Sequence, residues 1–133
     1  MDIIKKFGDM VGEESIKDPE KARKLLLTGY RLQEKRLQFF PDRKLPASGQ
    51  YVARVVMQNI IKALAKPDDT ALVSIFVPGE LLTAAGITPY SVEAMSCFIA
   101  GTRCEQAFLA QTEAEGFPET MCSYHRVFLG ASM

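Results

Sequence analysis

The chain has 133 residues, enough for one domain with a buried core, and its sixteen basic and sixteen acidic residues cancel. That balance leaves no long-range field to draw it toward nucleic acid or an anionic membrane. The opening MDIIKKFGDMVGEESIKD holds no apolar run of signal-peptide length, and no later segment approaches the roughly 18 uninterrupted apolar residues of a membrane span, so the sequence reads as cytoplasmic.

The first predicted element runs from Lys17 to Phe40. Asp18 is placed as an N-cap, Pro19 fits the first helical position and Glu20 the first turn. Ala22, Leu25, Leu26, Tyr30, Leu37 and Phe40 recur at helical spacing, so one stripe should pack while the charged remainder stays wet. After the connector PDRKLPASG, QYVARVVMQNIIKALA repeats that period through Val52, Val55, Val56, Ile60, Ile61 and Leu64 and should end before Pro67.

ALVSIFVP is a β-branched and aromatic run of eight with Ser74 as its one hydroxyl, the composition of a parallel strand covered on both faces. Pro78 should stop it, Glu80 suits the positive end of a following helix, and Gly86 suits that helix's left-handed C-terminal position. ITPYSVEAMSCFIAG then reads as a short strand running into a helix. TRCEQAFLAQTEAEG reads as a helix stopped by Gly116, and PETMCSYHRVFLG as a short one opened by Pro118 and closed by Gly130.

These elements predict an α/β protein in two parts, a helical region over 1–66 and, over 67–133, the start of a parallel Rossmann-like sheet. One or two strands are too few for a complete open α/β domain, so the sheet should be incomplete and its exposed side should favour a homo-oligomer or a second subunit.

The three cysteines, at spacings of 7 and 18, suit neither a disulfide framework nor a zinc ribbon. Cys122, in the first turns of the last helix, is where a helix dipole and amide donors favour a thiolate, and Arg126 should add positive charge to the same face. The commoner use of such a cysteine is as a small buried hydrophobe. Cys97, among small and apolar residues, and Cys104 read as structural, Cys97 the more firmly. His125 shares a face with Cys122, yet a lone histidine there is more often surface or packing, and a Cys-His nucleophile would also need an oxyanion hole and an orienting group.

Glu80 is explained by its helix end. Glu93, between apolar neighbours in SVEAM, needs a partner if ionised, and Ser74 needs a hydrogen bond inside its strand. No Gly-rich phosphate loop occurs.

The order of a buried strand, VPGELLTAAGITP, SVEAM and EGFPETMCSYHRVFLG resembles the N-terminal part of the 2-hydroxyacyl-CoA dehydratase family, from about Val73 to Ala131. Relatives in that family include 2-hydroxyglutaryl-CoA dehydratase and benzoyl-CoA reductase subunits. The resemblance implies a lyase subunit in which Cys122, within MCSYHR, ligates a 4Fe-4S iron-sulfur cluster completed by cysteines outside these residues. It implies Glu93 near the open iron, handling a proton or holding the leaving hydroxyl, and Ser74 near where the family uses a hydroxyl.

The implied chemistry is a radical dehydration of a 2-hydroxyacyl-CoA. An ATP-dependent activator protein injects one electron, the thioester carbonyl becomes a ketyl, and the hydroxyl leaves with help from iron. By this reading the chain is the N-terminal segment of a longer subunit, inactive alone, with a second dehydratase subunit and the activator as partners. A benzoyl-CoA reductase-like or double-cubane-cluster reductase subunit, and a non-catalytic assembly or binding module of the same fold, are the alternatives.

Overall fold

The computed structural model describes residues 2–41 and 43–133. The first helix, α1 (Ile3–Lys17), lies inside the helical region expected over 1–66, ahead of the first individual helix read from the sequence. Asp2 caps it, its carboxylate accepting from the Ile4 and Lys5 amides at 3.1 and 3.3 Å and pairing with Arg103. The buried face of α1 is Gly8, Val11 and Gly12, small residues in place of a large apolar stripe. That face works by close approach, because a Cβ on Gly8 would lie 2.1 Å from the Thr102 carbonyl oxygen.

The expected helices follow. In α2 (Pro19–Phe39), Asp18 accepts from the Lys21 amide at 3.0 Å and Pro19 takes the first position. Ala22, Leu26 and Tyr30 are buried as predicted, whereas Phe40 lies beyond the helix and is exposed. The next helix, α3 (Ala47–Ala65), follows Pro46 as its N-cap, starts earlier than the apolar period indicates, and buries Met57, Ile60, Ala63 and Leu64 while Val52 and Val56 face outward.

A single 3-10 turn (Pro67–Asp69) leads into β1 (Thr70–Val73). Of the eight-residue buried strand expected over ALVSIFVP, β1 therefore contains only Ala71, Leu72 and Val73. The chain turns at Ser74, whose carbonyl accepts from the Val77 amide at 3.0 Å, and Ile75 and Phe76 emerge 62% and 88% exposed. Nor is β1 covered on both faces, since Leu72 is also exposed.

The crossover carries α4 (Gly79–Ala84) with Glu80 exposed in its first turn. It closes at Gly86, φ +78°, where the amides of Gly86 and Ile87 return to the carbonyls of Thr83 and Leu82. Strand β2 (Thr88–Ser91) then pairs parallel with β1, Thr70 opposite Thr88 and Val73 opposite Ser91. The parallel pairing agrees with the sequence. Among the described residues the sheet has these two strands, and the protein is mostly helical.

The remaining helices are α5 (Val92–Gly101), α6 (Glu105–Ala114) and α7 (Ser123–Ser132), with Gly116 at φ +88° after α6. The last helix begins later than the Pro118 start expected for it and runs through Gly130. Gly130 lets α7 lie against α6, for a Cβ there would come within 2.1 Å of the Phe108 carbonyl oxygen. One apolar cluster joins Val11, Leu26, Ile60, Tyr90, Phe108 and Val127 from both halves of the chain. Within it Tyr30 meets Phe98 edge to face at 5.4 Å and donates its hydroxyl to the Phe98 carbonyl at 3.0 Å. No described helix is long and apolar enough to cross a membrane.

Candidate functional site

Parallel pairing puts the carboxyl ends of β1 and β2 side by side, so the residues just after one strand meet those just after the other. Ser74 comes directly after β1, and Glu93 lies in the first turn of the helix that continues β2. Ser74 Oγ donates to Glu93 Oε1 at 3.2 Å. The same carboxylate accepts from Ser91 Oγ at 2.7 Å and from the Ile75 amide at 3.3 Å. Ser74 thus finds its partner in Glu93, while the carboxylate's shortest bond is to Ser91.

These donors favour the ionised form. The Ser91 hydroxyl first, then Glu93's own amide, with Ser74 and the Ile75 amide adding to them, hold the carboxyl below the usual glutamate value against the opposing effect of burial. Ser91 was not singled out from sequence. The available signal was its place as N-cap before an acidic first turn, where its oxygen also accepts from the Ala94 amide at 3.2 Å.

One turn further, α5 meets the start of α7. The buried Ser96 donates to the Tyr124 carbonyl at 2.6 Å, and the Cys97 thiol lies beside the Tyr124 hydroxyl, raising its pKa. Cys122, two residues before Tyr124, is the N-cap of α7 rather than a residue inside it. It is exposed, so the use of this cysteine as a small buried hydrophobe is excluded.

The Cys122 thiol is shifted down, first by the His125 side chain, which donates to the sulfur, and then by the amides of His125 and Tyr124 at the open helix end. His125 therefore acts on the thiol. Arg126, expected to help from the same face, does not: it is buried, paired with Glu113 of α6, and donates to the Glu119 carbonyl at 3.4 Å. The long arginine side chain reaches across to α6 instead of along its own helix.

Both of the other thiols read as structural from sequence, and only Cys104 is buried. Cys97 is exposed, whereas Cys104 is 3% exposed, in contact with Thr102 Oγ1 at 3.0 Å and shifted up by burial. A helix periodicity that puts Ser96 and Ile99 inside turns Cys97 out.

An exposed thiolate at a helix start has the chemistry of one iron ligand, and Cys122 fits that part of an iron-sulfur site. Among the described residues no three His, Cys, Asp or Glu side chains come together to hold a metal ion, so further ligands would have to come from outside them. Compared with known proteins, the chain matches no family model, no curated protein and no solved structure.

Proposed function

We propose that this chain contributes one thiolate, Cys122, and one anchored carboxylate, Glu93, to the iron-sulfur site of a 2-hydroxyacyl-CoA dehydratase-type subunit whose remaining ligands lie outside these residues. The observation that carries the reading is the convergence of Ser74 and Glu93 at the carboxyl ends of two parallel strands. From there α5 runs directly to the helix start that bears Cys122. Ser74 and Glu93, 19 positions apart in sequence, meet at those strand ends.

When bound, a 4Fe-4S cluster would supply an open iron as a Lewis acid for a leaving hydroxyl. The chain's own part is narrower. Cys122 holds iron with a thiolate whose charge the His125 side chain and two amides already favour. Glu93, fixed by three donors besides its own amide, presents an acceptor for the substrate hydroxyl or its proton. Ser74 positions that carboxylate. The two-stranded sheet would be the start of a Rossmann-like sheet, with its open edges joined by further strands or a second subunit. An activator protein would supply the electron and ATP hydrolysis, and the site would be cytoplasmic.

The test is iron and acid-labile sulfide analysis with EPR of the chain isolated without oxygen from its native host, together with whatever chains accompany it. Cys122→Ala should remove the cluster and the Cys97→Ala, Cys104→Ala double variant should keep it. Equal loss in both variants would move the ligands within the chain. Iron absent from the wild-type assembly would leave the assembly-module alternative.

A further inference from the structure

A cavity of about 470 Å3 lies between the helices and the sheet, and Cys122, Ser74 and Glu93 are not among the residues that line it. Its floor is made of Leu26, Ile60, Leu64, Ile99 and Phe108, all buried, so it reaches the centre of the molecule rather than lying on a surface. Glu20, Leu72, Ala131 and Met133, which are exposed, mark its opening. The volume falls within the ≈ 300–1,000 Å3 of small-molecule sites, and an apolar cavity of ≈ 150 Å3 already takes up benzene.

The polar side chains in the lining narrow the ligand, because each is already engaged within the chain. Ser15 donates to the Gly12 carbonyl at 2.8 Å, Thr70 to the Lys66 carbonyl at 2.8 Å, and Tyr30 to Phe98. Arg23 grips the Glu20 carboxylate through Nε and Nη2, both at 2.7 Å, and its remaining nitrogen donates to the Leu64 carbonyl. Lys24 and Asp68 add one charge of each sign nearby. An anion would meet an arginine whose charge Glu20 already balances, and a ligand that needs a hydroxyl donor would find the protons of Ser15, Thr70 and Tyr30 already committed. A hydrocarbon would lose nothing and would fill space that otherwise costs the fold its packing contacts.

We propose that this cavity binds one uncharged, predominantly hydrocarbon molecule larger than a single aromatic ring, entering past Leu72 and Met133 and lying against Ile60, Ile99 and Phe108. The site is separate from any chemistry at Cys122 and stands without it.

The test titrates the full chain with the uncharged dye N-phenylnaphthylamine, following fluorescence and thermal unfolding. Saturable binding of one dye per chain with a raised unfolding midpoint is expected, with the anionic anilinonaphthalene sulfonate weaker by at least about tenfold. Ala63→Phe fills the floor and Ala131→Phe the opening; each should weaken the uncharged dye at least about tenfold. Should Ala63→Phe fail to fold, Ala131→Phe decides, because it lies in the exposed last turn of α7. Binding of several equivalents without saturation, or affinity unchanged in the folded variants, would overturn the site. Equal binding of the anionic dye would overturn the assignment of an uncharged ligand.

Discussion

Ser74 Oγ and Glu93 Oε1, nineteen residues apart in sequence, are 3.2 Å apart in space. That bond ties the turn after β1 to the first turn of α5 and anchors the carboxylate at the carboxyl end of the sheet.

Glu93 should make stability depend on acid pH. Its folded carboxyl titrates below the unfolded value of about 4.3, so the folded state favours the ionised form. The resulting stabilisation is fully present above the unfolded value and is lost as pH falls through the lower folded one. Urea midpoints of the wild type and Glu93→Gln should therefore differ at neutral pH and converge as pH falls through the lowered folded value. A gap that stays constant with pH would contradict the anchoring.

Cys122 should react as the most acidic thiol. In alkylation by iodoacetamide followed by mass spectrometry, its rate should rise with pH earlier than that of an ordinary cysteine. In His125→Ala the profile should move to higher pH, with reaction several-fold slower at neutral pH. Cys104, buried and shifted up, should react only on unfolding.

The approach of α6 and α7 should be intolerant of one methyl group. Gly130→Ala is expected to cost about 1–3 kcal/mol or more, since the nearest obstacle is the Phe108 backbone and cannot rotate away. Gly101→Ala, which meets nothing within 4 Å, should be neutral or stabilise by up to about 1 kcal/mol. Denaturant unfolding of the pair gives the contrast directly.

Arg126 is a buried cation that depends on Glu113. Because Glu113 is itself partly exposed, Glu113→Ala should cost about 1–3 kcal/mol, and adding Arg126→Met should recover most of it. A double-mutant cycle with additive effects would show that the pair is not coupled.

The proline and aspartate at the start of α2, the glycine that ends α4 and the period of α3 were legible because caps and amphipathic spacing act within a few residues. The α1 helix was not, because its buried face is built from Gly8 and Gly12, and a face made by close approach leaves no large apolar stripe to read. The run ALVSIFVP misled for a related reason: hydrophobicity alone does not say where a strand turns, and Ser74 turns this one after four residues. At the site, Glu93, Ser74 and Cys122 stood out as candidates; Ser91 did not, and His125, on the same face as Cys122, read more as surface or packing. Their roles depend on hydrogen bonds whose lengths no pattern specifies.

By itself the sequence determined most of the local parts: the helices from α2 onward, that two strands and a crossover helix follow the helical half, and which side chains could ionise. Only the tertiary structure decided which of those groups share an environment. Cys97 is outside and Cys104 inside, and Arg126 serves Glu113 rather than Cys122. Those outcomes depend on how helices rotate about their axes when packed, and that rotation is set by contacts such as Gly130 on Phe108 that join residues far apart in the chain.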